Sequence, residues 1–202
     1  MQPLKLKLDR TSLETMYKSF VFPVMEYALP VWGGTYDSDI NKLESIHVDA
    51  MRLISGATAR SNIRNLYQET AWQSFRERRD YSLLTMMYRI KNGSAPDYLK
   101  NLLPRENQNH INCNLRNNKN LKLPFIRLES FRRSFIPFAV KLWNNLTIEH
   151  RETATLEEFK SVIKRDYQDV NLLYYYGKRW PAVHHTRIRL GCSKLNADPY
   201  FM

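Results

Sequence analysis

A mainly α-helical fold is what this sequence predicts: a helical bundle followed by a second helical segment, with little or no sheet. Three observations predict it. Apolar residues recur at spacings of three and four along most of the chain, capping residues and glycines bracket those runs, and 43% hydrophobic with 12% aromatic content suits a packed interior. At roughly 150 residues per domain, 202 residues make one domain or two small ones sharing a core.

The elements follow in order. Residues 11–29 place Leu13, Met16, Tyr17, Phe20, Val24 and Tyr27 near one helical face, and Pro23 kinks or splits that helix. Pro30 and the pair Gly33-Gly34 end the pattern. Asp37 or Ser38 can cap a helix over about 39–55 with the stripe Ile40, Leu43, Ile46, Ala50, Leu53 and Ile54, stopped by Gly56. Ser61 can cap a short helix. A longer helix at about 72–91 carries Phe75, Leu83, Met86, Met87 and Ile90 inward and ends at Gly93. Arg76, Arg78 and Arg79 lie at its start, where the helix dipole disfavours cations, so they call for a partner: acidic residues of the fold or a phosphate. Pro96 starts a short segment. Residues 104–122 are rich in Asn, poor in apolar residues and without a period, which reads as an exposed loop or linker. A strand-like stretch, LKLPFIRLES, precedes a helix from about 130 to 145 with Phe135, Phe138, Ala139, Leu142 and Trp143 inward. Thr155 and Glu158 form a capping box for a helix that buries Leu156, Phe159, Val162, Ile163 and Tyr167. Trp32, Trp72 and Trp143 read as core.

Charge is the strongest compositional clue. Lys and Arg total 31 against 20 Asp and Glu, a net of +11. Residues 1–104 carry a net of +3 and residues 105–202 a net of +8. Such a surplus attracts polyanions through counterion release; the plainer reading is a solvated basic surface. No apolar run reaches 18 residues, and the N-terminal MQPLKLKLDR has no signal-peptide character. Two cysteines, Cys113 and Cys192, are too few for a disulfide scaffold. The expected setting is therefore intracellular, nuclear or cytoplasmic, with no membrane partner.

Familiar catalytic signatures are missing from the sequence. It contains no phosphate-binding glycine loop, nucleophile elbow, HExxH zinc motif or adjacent aspartates for paired Mg²⁺ ions. No catalytic residue, cofactor or metal is expected. His110, Cys113, His184, His185 and Cys192 lack tight ligand spacing at both ends. Basic and aromatic interleaving is better supported. Tyr175, Lys178, Arg179, Trp180, His185, Arg187, Arg189 and Lys194 cluster near the end, where aromatic faces suit unpaired bases and cations suit the backbone. The alternative is that the aromatic residues anchor the last helix. Arg132 and Arg133 are phosphate contacts, or the polar side of their helix.

The order of elements resembles the region downstream of the catalytic palm in reverse transcriptases of LINE-type non-LTR retrotransposons. The matching stretches are LETMYKSFVFPVMEYALPVWGG, LESIHVDAMRLISGA, FRERRDYSLLTMMYRIKNGSAPDYLKNLLP, RRSFIPFAVKLWNNL, TLEEFKSVIKRDY and YYYGKRWPAVHHTRIRLGCSKLN. The resemblance implies a thumb-like helical bundle at 1–103, the Asn-rich linker at 104–122 and a basic helical segment at 123–202. It also implies contact with an RNA–DNA duplex or template. The aromatic-Ala-Asp-Asp motif of the palm and the Cys/His knuckle are not among these residues. Cys192 matches the stretch that precedes the knuckle. The expectation is a non-catalytic fragment that binds RNA or DNA, duplex or single strand, without sequence preference. The nucleic-acid-binding residues expected are Arg132, Arg133, Tyr175, Lys178, Arg179, Trp180, His185, Arg187, Arg189 and Lys194. The alternative is a helical scaffold or relic that self-associates through an exposed apolar face.

Overall fold

The computed structural model describes residues 8–106 and 119–164, together with Val183 and Arg187. Among the described residues the chain is mainly helical, with no strand or sheet; Glu106 and Leu121 form an isolated antiparallel bridge. Helices run α1 (Arg10–Met16), α2 (Phe22–Glu26), α3 (Leu29–Trp32), α4 (Asp37–Ser55), α5 (Ile63–Thr70), α6 (Phe75–Lys91) and α7 (Asp97–Asn101). They continue with α8 (Glu129–Arg132), α9 (Phe135–Asn145), α10 (Ile148–Arg151) and α11 (Leu156–Ile163).

Two compact units divide the chain, and they interleave. The first draws its described residues from Met1–Tyr27 and Asn41–Phe75, with Val183 and Arg187; the second takes Ala28–Ile40 and Arg76–Arg165. The sequence reading places a single division at 104–122. The core of the second unit explains the difference, because Leu84, Met87 and Tyr88 pack with Ala139, Val140, Trp143 and Phe159, from either side of that stretch.

In the first unit a π-helical turn, Tyr17–Val21, joins α1 to α2. Pro23 has no N–H, and its ring would clash with the carbonyl four residues back in a regular helix. The wide turn just before it relieves that conflict. It also shifts the inward row. Leu13 and Tyr17 are followed inward by Phe22 and Met25, while Phe20, Val24 and Tyr27, expected on the apolar face, are exposed. The core gathers Tyr17, Phe22, Val48, Met51, Ile54, Leu66 and Trp72. His47 is fully buried among them. Its Nε2 lies 3.1 Å from the carbonyl oxygen of Gln73, so Nε2 carries the proton and Nδ1 accepts from the Tyr17 hydroxyl at 2.9 Å. Trp72 stacks on Tyr17 at 5.2 Å and donates its Nε1–H to Glu14 at 3.0 Å.

The inward row of α4 comprises His47, Val48, Met51 and Ile54, whereas Ile46, expected inside, is 51% exposed. Gly56 stops α4 with φ +77°, a conformation that favours glycine. Asn62, rather than Ser61, caps α5 by accepting from the Arg64 N–H at 2.9 Å; Ser61 bonds back to Thr58 instead.

In the second unit α6, α9 and α11 supply the core. Phe159 is fully buried, stacked on Tyr88 at 4.4 Å and tilted against Trp143 at 5.7 Å. Thr155 caps α11 by accepting from the Glu158 N–H at 3.2 Å, and the Glu158 carboxylate accepts from the Ala154 N–H. Val162, expected inside, is exposed. Ser134 breaks the helix expected over 130–145 into α8 and α9. Beyond the bridge at Leu121, the strand-like stretch LKLPFIRL has no ladder partner among the described residues and runs as open chain into α8.

Candidate nucleic-acid interface

The described part of the expected interface in the second unit begins at α8. Leu128, in extended backbone, precedes this single turn, and the Ser134 hydroxyl closes it by donating to the Phe131 carbonyl at 2.7 Å. Three- and four-residue spacing then sets both arginines against Glu129: Arg133 Nε at 2.9 Å and Arg132 Nη1 at 3.5 Å. The Arg132 side chain is 63% exposed. Arg133 is half-buried, and its guanidinium lies 4.1 Å over the Tyr36 ring.

Gly34 makes that stack reachable. A Cβ at this position would fall 1.6 Å from the Arg133 carbonyl oxygen, so only glycine allows the loop bearing Tyr36 to lie against the Arg133 backbone. Around the same loop Arg76 pairs with Asp37 at 2.9 Å. Arg79 is buried, held by Asp80 at 2.8 Å, and lies 4.8 Å over the Phe138 ring. The demand for partners at the start of α6 is thus met, for Arg76 and Arg79, by acidic residues of the fold. The Arg76 hydrogen bond and charge hold the exposed Asp37 carboxyl below its ordinary range, with smaller help from Arg79 and Arg133. Arg133 does the same for Glu129. Asp80 moves upward because its burial outweighs the attraction of Arg79.

Not every cation is available to a ligand. Arg151 donates to the carbonyls of Asn144, Leu146 and Lys119 and to the Asn120 side chain, which fastens the α9–α10 turn. Lys119 pairs with Glu152. Among the described residues no ion pair involves Lys122 or Arg127. Both are exposed, on either side of Phe125.

Arg187 belongs to the first unit. Its Nε–H donates to the Gly56 carbonyl at 2.8 Å, just past the end of α4, where a cation complements the helix terminus. Tyr175, Lys178, Arg179, Trp180, His185, Arg189 and Lys194 lie outside the described residues, as do His110, Cys113, Tyr167, His184 and Cys192. Tyr36, Lys122, Phe125 and Arg127 are the side chains the sequence reading did not single out. The alternation in LKLPFIRL is the signal that could have found the last three. Among the described residues no group of three His, Cys, Asp or Glu side chains is placed to hold a metal, and no helix is long and apolar enough to cross a membrane.

What this surface can do is bind anions. A guanidinium stacked on an aromatic ring keeps its N–H edge for an oxygen acceptor, and the exposed pairs to Glu129 are cheap to exchange. Comparison with family models, with curated proteins and with solved structures finds no match.

Proposed function

We propose that the chain is a non-catalytic helical module that binds RNA or DNA without sequence preference, akin to the region that follows the palm in non-LTR retrotransposon reverse transcriptases. The observation that carries this reading is the stack of Arg133 on Tyr36 next to the exposed Arg132, with Lys122 and Arg127 exposed and in no ion pair among the described residues, within a chain of net charge +11. Phosphates and stacked bases carry little sequence code, so one surface of this kind serves many sequences. The order of motifs along the chain supports the reverse-transcriptase kinship, and the two lone cysteines suit an intracellular setting, nuclear or cytoplasmic.

A gel-shift titration with an RNA–DNA hybrid at two salt concentrations tests the proposal. The logarithm of affinity should fall with the logarithm of salt by about 0.7–0.9 per phosphate contacted. Arg132→Ala should weaken binding alike across sequences and lower that slope by about one. No binding at low salt rejects the reading. A helical interaction protein is the second reading, favoured by Phe20, Val24 and Tyr27, which are exposed at helical spacing. Light scattering decides it: concentration-dependent self-association supports it, and a monomer at every concentration counts against it.

A further inference from the structure

The second unit carries an open-chain segment whose exposure pattern is unusual. From Lys122 to Leu128 the chain is neither helix nor strand. Pro124 and Ile126 are half-buried, while Leu123, Phe125 and Arg127 are exposed. In extended backbone alternate side chains share a side. Pro124 favours that conformation, since proline disfavours the helical region for the residue before it. The half-buried pair therefore faces the unit, and Phe125, 84% exposed, faces water beside Arg127.

The segment is tied down at its start. The Asn144 amide accepts from the Leu121 N–H at 3.0 Å and donates to the Leu121 carbonyl at 2.9 Å. The Lys122 N–H donates to the Arg105 carbonyl at 2.9 Å. At its far end α8 begins, with Phe131 and Arg132 exposed. A phenyl ring that exposed gives up burial that a packed fold would use, so a surface-seeking partner is the physical question. The cations decide its chemistry. Lys122, Arg127 and Arg132 stand close to Phe125 in the chain with Glu129 as the sole acidic residue among them, which favours a polyanion over an apolar partner.

We infer that Phe125 and Arg127 form a stacking platform for single-stranded nucleic acid, with Phe125 taking an unpaired base and Arg127 a flanking phosphate. A base inside a duplex is already stacked on both faces, so the exposed ring has little to offer a blunt helix; an unpaired base presents a free face. This inference rests on the nucleic-acid-binding reading above and adds to it a preference for unpaired strands.

The experiment measures fluorescence anisotropy of labelled oligo(U) and of a blunt RNA–DNA hybrid of equal length, with the full chain and with Phe125→Ala. Removing one stacked base contact should weaken oligo(U) binding roughly 5- to 150-fold. Hybrid binding should be unchanged. Arg127→Ala should also weaken oligo(U) binding and reduce its salt slope by about 0.7. If Phe125→Ala leaves oligo(U) affinity intact while the unaltered chain binds both ligands, the platform is wrong and the broader function stands. If the unaltered chain binds neither, the broader function falls with it. If Phe125→Ala instead turns a dimer into a monomer in light scattering, a second copy covers the ring and the inference is overturned. Because Phe125 is so exposed, its removal leaves the fold intact, and circular dichroism checks this.

Discussion

Asn144→Ala should cost far more than an exchange at a half-buried polar residue usually does. The Asn144 side chain holds both polar groups of the Leu121 backbone, at 3.0 and 2.9 Å, and Leu121 is buried. Each hydrogen bond is worth about 1 kcal/mol net, and a buried backbone group left without a partner costs about 1–3 kcal/mol. Truncation loses both bonds together, while water can reach part of the gap, so a loss of about 2–3 kcal/mol is expected. At a urea slope of about 2 kcal/mol per molar, the midpoint should fall by roughly 1 M. Asn145→Ala, one residue on and exposed, is the control and should stay within about 0.5 kcal/mol. Hydrogen exchange gives the local readout, because the Leu121 amide should lose protection in the first variant alone. A midpoint shift no larger than the control, with Leu121 still protected, would refute the reasoning. It would mean that the segment bearing Phe125 is held by something other than this clamp.

Phe159→Ala removes a fully buried ring packed between Tyr88 and Trp143 and should cost about 3–5 kcal/mol, read by chemical denaturation; a loss under about 1 kcal/mol would mean the site collapses around the gap. Glu129→Gln frees Arg132 and Arg133 from their shared carboxylate and should tighten RNA–DNA hybrid binding in the gel shift; unchanged or weaker binding would show that neither arginine meets a phosphate. Carboxyl titration by nuclear magnetic resonance should place Asp37 and Glu129 below their ordinary 3.8 and 4.5, and Asp80 above 3.8. The first two then contribute stability above those ordinary values, lost as the pH falls through their lowered folded values, and Asp80 contributes below 3.8 and loses it as the pH rises through its raised one. An Asp37 midpoint above that of Asp80 would contradict the ion-pair assignment.

Helix positions were legible where periodicity, caps and glycines agreed. Gly56 and Gly93 stop α4 and α6 with positive φ, and Thr155 with Glu158 caps α11. The faces were less legible. Phe20 and Val24 continue the apolar row of Leu13 and Tyr17 in a regular helix, and the π-turn alone turns them outward. Ile46 likewise yields its place to His47, whose two ring nitrogens find partners that a sequence pattern does not display. At the candidate interface the arginines of α8 were visible as a charged pair. Tyr36 was not, because its meeting with Arg133 depends on how closely Gly34 passes a backbone nearly a hundred residues away. The unit boundary was hidden for a related reason: contacts between remote stretches build the second core.

The wide turn at Tyr17–Val21 amounts to one surplus residue in an otherwise ordinary helix. Excise Ser19, and Tyr17 and Phe22 come to lie four positions apart, with Met25 following in regular phase. The inward row would survive such a shortening intact, leaving Pro23 as its sole obstacle, and pairing the excision with Pro23→Ala should yield an unbroken spiral. Lengthening the same stretch would instead carry Phe22 away from its aromatic neighbours, so this helix tolerates loss far better than gain.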